Sequence, residues 1–263
     1  MARRLLPYRP GVKTFRLSGE ALQWIGVVLA CLSSFSIAIL QRGVLGLDRE
    51  GAMAAVSEAM KPGGTAMGWA TGAVFCSLLS TLAIPIFAKL TYEGWKRAAA
   101  PGKYLAGLAV CALISEIPYD FAMNEKLLDW SAQNPVWGLL LAAVTLEITR
   151  RWKMKSAAGN IAFRAMIVCA ALIWALLLRV QMGTVMVLLA ALFCFAEKKP
   201  MITIAGGVLL TLVQFPAPVG MAFVHWYDGE KKMGSGKLLA ILYPVQLLVF
   251  GLLGTLPMIP QIS

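Results

Sequence analysis

A chain of 263 residues that is 59% hydrophobic and only 14% charged, with a mean hydropathy of +0.73, lacks the polar surface that a soluble domain needs to cover its core. The formal charge of +11 would admit nucleic acid as a partner, but the basic residues stand in short clusters between apolar runs, with no basic stripe interleaved with aromatic side chains. Such clusters are positive-inside topology signals, and the length counts membrane spans of about 20 apolar residues each.

Arg3, Arg4, Arg9, Lys13 and Arg16 precede a first predicted span over about Ala21–Leu40. No small-residue cleavage site follows and the run reaches spanning length, so a retained helix is expected. Gln41–Gly64 carries Asp48, Arg49, Glu50, Glu58 and Lys61, and its middle, Gly51–Met60, reads as a short amphipathic interfacial helix. A second span covers Met67–Ala88, where Pro85 predicts a kink or break. Lys89, Lys96, Arg97 and Lys103 form the next basic cluster. A third span, Tyr104–Ile117, is predicted to stop at Pro118. After a polar connection a fourth starts near Pro135 and ends near Ile148, ahead of Arg150, Arg151, Lys153 and Lys155.

Ile161–Leu178 makes a fifth span, with Arg164 near enough to its start to snorkel, and Met182–Ala196 a sixth, closed by a turn at Glu197–Pro200. Pro216 and Pro218 divide Met201–Tyr227 into two short apolar pieces. Lys198 and Lys199 before them and Lys231, Lys232 and Lys237 after them favour the same side, so two short helices are expected, with Pro216–Gly220 as the outer turn. A last span covers Leu238–Leu256. The expected fold is all-α: a polytopic transmembrane helical bundle of about nine segments, between eight and ten. Residues 1–20 are its basic cytoplasmic segment, 21–256 one membrane domain and 257–263 a short tail. The expected place is the cell (inner) membrane, with the N-terminus cytoplasmic and the lipid bilayer as the first partner.

Chemistry is sparse. Cys31, Cys76, Cys111, Cys169 and Cys194 each sit in an apolar run without a CxxC pair, so buried thiols are expected and no metal site. His225 is the only histidine and stands beside Trp226 and Tyr227, in the manner of an interfacial belt. Gly234-Ser235-Gly236-Lys237 lacks the spacing of a phosphate loop. Ser115-Glu116-Ile117-Pro118-Tyr119-Asp120 places two carboxylates at the predicted end of an apolar helix, where ionisable residues are functional candidates. The competing reading pairs Glu116 with a cation or has it cap a neighbouring helix. Glu93 and Glu147, beside basic clusters, are expected to pair locally.

Ser115–Asp120, with Phe121-Ala122-Met123-Asn124 and then Gln133-Asn134, resembles the TraX family of membrane proteins. Further pieces match in order: Leu17-Ser18-Gly19, Ala83-Ile84-Pro85-Ile86-Phe87-Ala88, Glu93-Gly94, Tyr227-Asp228-Gly229 and Tyr243-Pro244. The resemblance implies a relation to membrane acyltransferases and to the acetylation of a pilin N-terminus from acetyl-CoA. It also marks departures. The family pattern has an Asp-His pair at Ser33-Ser34, an arginine at Thr81 and a histidine near Arg97. It has an acidic residue at Gln181 and a histidine at Gln246.

Those departures remove the groups that move protons in acyl transfer, a task that histidine most often performs. One expectation is therefore a degenerate acyltransferase fold serving as a non-catalytic scaffold or partner subunit, with another membrane or pilin-like protein as its expected partner. The alternative is an active acetyltransferase with Glu116 or Asp120 as base, and with Lys96 and Arg97 binding the phosphates of acetyl-CoA. A transporter built on the proline-broken helices is a third reading.

Overall fold

The computed structural model describes residues 16–46, 66–229 and 236–256. The Gly51–Met60 helix, the C-terminal tail, Lys231, Lys232 and the N-terminal cluster up to Lys13 lie outside those residues. Helix α1 (Gly19–Ser34) is capped by the Ser18 side chain, which accepts from the Ala21 N–H at 3.1 Å, and runs on as a π-helix over Phe35–Val44. There follow α2 (Met67–Ser80), α3 (Ala83–Arg97), α4 (Pro101–Asn124), α5 (Val136–Arg151), α6 (Ala157–Leu177) and α7 (Gly183–Phe195). Then come α8 (Pro200–Thr211), α9 (Gly220–Trp226) and α10 (Gly236–Thr255).

The bundle is helical as the hydropathy requires, and four segments are long and apolar enough to cross a bilayer unaided: Gly19–Val44, Met67–Arg97, Pro101–Asn124 and Ala157–Leu177. Helix α6 is the most peripheral of them, exposing Ile161, Met166, Ile173, Trp174 and Leu177 as a lipid-facing helix does. Met201–Tyr227 does form two short helices about the Pro216–Gly220 turn. The second, α9, has seven residues, roughly 10 Å of rise.

The break expected from Pro85 is present, a turn before the proline, and the stop expected at Pro118 is corrected. The break between α2 and α3 falls at Thr81–Leu82, before Pro85, which occupies the first turn of α3 where a missing N–H costs nothing. Helix α4 continues through Pro118 to Asn124 and stops only where Glu125 turns left-handed at φ 57°. Burial of Tyr119, Ala122 and Met123 against Leu247 of α10 holds the helix beyond the proline. Glu116 and Asp120 consequently share one helix, a turn apart, instead of flanking its end.

The core lies among α3, α5 and α7, where Ile84, Ala88, Tyr92, Leu146, Leu189 and Phe193 are buried together. Helices approach closely where side chains are minimal. A Cβ on Gly138 of α5 would stand 2.9 Å from the Gly183 Cα of α7, and one on Gly254 of α10 would stand 2.2 Å from the Ala38 carbonyl oxygen. The C-terminal ends of α3, α5 and α7 meet at one basic end of the bundle. There Lys96 pairs with Glu197, the Trp95 Nε1 donates to Glu147 Oε2 at 2.9 Å, and the Arg150 guanidinium lies 5.2 Å from the Trp95 ring.

At Gly220 an added Cβ would lie 2.3 Å from the Leu82 carbonyl oxygen, a backbone atom, whereas one at Gly68 meets nothing within 4 Å. Gly220→Ala is expected to destabilise the protein by ~1–3 kcal/mol through overpacking. Gly68→Ala is expected to leave it unchanged or slightly more stable. Thermal unfolding followed by size-exclusion chromatography checks both.

Candidate functional site

Helices α1, α3, α4 and α10, with the start of α5 and the α6–α7 turn, surround a cavity of about 730 Å³, inside the ~300–1,000 Å³ range of small-molecule sites. On α3 its lining runs from Ala83 to Arg97, a rise of roughly 21 Å. The exposed Arg97 and Lys103 line its basic end, taken as its mouth. Val27, Ile84, Phe87, Leu108 and Leu139 make apolar walls, and Ser33, Ser34, Thr81, Tyr119, Gln181 and Gln246 make a neutral polar floor.

Local structure sets each of these side chains. Ser33 and Ser34 stand where α1 passes into its π-helical stretch, and Thr81 stands in the α2–α3 break, its hydroxyl donating to the Leu78 carbonyl at 2.7 Å. Gln181 sits in the turn after α6, whose backbone is pinned by exchange of hydrogen bonds with Gln133. Its Oε1 accepts from the Tyr119 hydroxyl at 2.7 Å. Gln246, on α10, has both side-chain polar atoms buried without a hydrogen-bond partner. Gly94 makes room for the Tyr104 ring, since a Cβ there would stand 2.8 Å from the phenolic oxygen.

Of the residues singled out from the sequence, Arg97 lines this cavity and Lys96, Glu116 and Asp120 do not. Arg97 also meets Glu93 Oε2 at 2.9 Å and donates to the Tyr227 hydroxyl at 2.9 Å and the Gly229 carbonyl at 3.1 Å. Lys96 is turned to Glu197, with the Tyr92 ring 5.6 Å away. Glu116 Oε2 accepts from the Asn134 side chain and, at 2.8 Å, from Trp137 Nε1. Asn134 in turn accepts from the Val136 N–H at 2.9 Å, so this carboxylate fastens α4 to the start of α5. Asp120, 1% exposed, accepts from the Asp129 N–H at 2.8 Å and anchors the loop that follows α4.

Glu93 pairs with Lys89 at 2.8 Å as well as with Arg97, and Glu147 pairs with Arg150 at 2.7 Å and Arg151 at 2.5 Å, the local pairing expected of both. All five cysteines are free, and Cys31 and Cys111 line the cavity. His225 is exposed at the end of α9. Sequence reasoning missed Gln23, which lines the cavity at 4% exposure. A lone glutamine near the start of an apolar helix carries no signal of burial.

The short pieces that matched in order along the sequence also meet in space. The Leu17 N–H donates to the Trp226 carbonyl at 2.8 Å and the Asp228 N–H to the Leu17 carbonyl at 3.1 Å, while Tyr243 packs on the cluster around Tyr119. The family model described as TraX protein matches residues 18–254. No curated protein and no solved structure matches the chain.

Gly107 lines the cavity with nothing within 4 Å of an added Cβ. Gly107, exposed on α4, is therefore expected to accept Phe with the fold intact, and slower reaction of Cys31 and Cys111 with small water-soluble thiol reagents in Gly107→Phe would place that side chain across the cavity. Mass spectrometry of labelled peptides over a time course checks this.

Proposed function

The chain belongs to the TraX family, and from that premise we propose that it is a degenerate acyltransferase fold, acting as a non-catalytic scaffold or partner subunit in the cell membrane. One observation carries the proposal. Ser33, Ser34, Thr81, Arg97, Gln181 and Gln246, at which the family resemblance implies ionisable or histidine residues, all line one cavity. That lining holds no carboxylate and no histidine among the described residues. Serine, threonine and glutamine hydrogen-bond, but they cannot take a proton from an attacking amine or hydroxyl near neutral pH. The basic end, where the clusters around Arg97 and Arg150 gather, is the cytoplasmic end on this reading.

A second reading, an active acetyltransferase, is favoured by the cavity mouth. Arg97 and Lys103 stand there as cations for a phosphate-rich donor such as acetyl-CoA. It would need Glu116 or Asp120 as the base, and both lie behind the cavity wall in hydrogen bonds to α5 and to the post-α4 loop.

The test is transfer of a radiolabelled acetyl group from acetyl-CoA to peptides with pilin-like N-terminal amines, using purified protein in nanodiscs. No transfer above the protein-free background is expected, with or without Glu116→Gln. Transfer that Glu116→Gln or Asp120→Asn abolishes would establish the enzyme instead.

A further inference from the structure

A carboxamide sequestered with neither donor nor acceptor matched forfeits hydrogen bonds on both sides, so bundles rarely keep one without a use for it. Gln246 is in that state at the floor of the cavity. Ser34, 2% exposed, lines the same floor, and its side chain makes no hydrogen bond with a described residue. Gln23, 4% exposed, lines the cavity near the start of α1 at the basic end. Charge is confined to the mouth, at Arg97 and Lys103, and the walls between mouth and floor are apolar.

This order of surfaces is that of one molecule. We propose that the cavity binds an elongated amphiphile, with an anionic head at Arg97 and Lys103, an apolar stem, and a neutral hydroxyl or carboxamide at its inner end. Gln246 and Ser34 receive that inner group, and Gln23 adds a neutral hydrogen bond beside the head. The span is long: Tyr119 lies roughly 24 Å along α4 from Lys103. A short-chain acid would leave one end unmet. An inner ammonium or carboxylate would be desolvated with no countercharge at the floor, and an inner methyl group would leave the Gln246 amide bare. The proposal rests on reading the cavity as a retained binding site, and not on the loss of catalysis.

The probe is tritiated ω-hydroxyhexadecanoic acid, bound to the full chain in nanodiscs and displaced by the unlabelled hydroxy acid, by hexadecanoic acid or by hexadecanedioic acid. Saturable binding is expected, with the hydroxy acid displacing the probe roughly tenfold better than hexadecanoic acid, as one hydrogen bond to an otherwise bare group would give. The dicarboxylic acid is expected to be weaker than the hydroxy acid. Gln246→Leu and Ser34→Ala should each reduce the preference for the hydroxyl, and Lys103→Gln should weaken all three acids alike. Should Gln246→Leu fail to fold, Ser34→Ala carries the same test. Absence of a saturable site, equal displacement by the hydroxy and plain acids, or a preference that survives the floor substitutions would overturn the proposal. Acetyl transfer with the preference intact would sink only the non-catalytic reading, and lack of both would sink only this one.

Discussion

Taking a carboxylate out of water costs several kcal/mol unless donors meet it, and the way this chain meets its carboxylates orders the bundle. Glu147, 4% exposed, is held by Arg150, Arg151 and the Trp95 indole, which locks α5 to α3 at the basic end. Glu93 draws in Lys89 and Arg97 there, and Arg97 reaches on to Tyr227, so the approach to α9 is tied to the same network. Glu116 is met differently, at Oε2 alone and by the neutral donors of Asn134 and Trp137, while its Oε1 is buried without a partner. It therefore fixes the entry to α5 without gathering cations deep in the bundle. Once these carboxylates are committed, the space between α1, α3, α4 and α10 is left to apolar and neutral polar groups.

Much of this architecture was legible from hydropathy, because a span of apolar residues has few alternatives to a helix in a bilayer. The boundaries that failed were those set by tertiary contacts. Pro118 reads as a stop, and locally it does remove a backbone donor. Packing of Tyr119 and Met123 on α10 outweighs that loss and carries α4 another turn and a half. Pro85 reads as a kink or break, and the chain does break a turn before it, at Thr81–Leu82, so that the proline falls in a first helical turn. The passage of α1 into a π-helix at Phe35 had no signal in the sequence at all. It accompanies close backbone packing of Ala38 on Gly254, a contact between residues far apart in the chain.

The site was legible in a different sense. No single residue announces it, and the two carboxylates that stood out in the sequence are engaged in holding helices and loops together. What marked the cavity in the sequence was a set of positions, from Ser33 to Gln246, at which the family resemblance implies other residues. They come from α1, the α2–α3 break, α3, the α6–α7 turn and α10, and all line one cavity. The charge pattern points the same way. The cation Arg97, near which the resemblance implies a histidine, is exposed at the basic end, and Ser34 and the Gln246 amide place neutral polar groups out of water, where an unpaired charge would be most costly.

The persistence of the cavity then needs a physical reason of its own. Interiors are close-packed, and lining atoms that face a void lose the contacts they would otherwise make. If the site had only lost its chemistry, larger apolar side chains would recover those contacts. The lining instead keeps Ala30, Ala83, Ala98 and Gly107, with Gly94 required to seat Tyr104. A carboxamide kept bare at the floor of such a space adds to the cost of leaving it unfilled. Small walls, bare neutral donors and acceptors, and cations only at the mouth are what a binding cavity requires and a vestigial one does not.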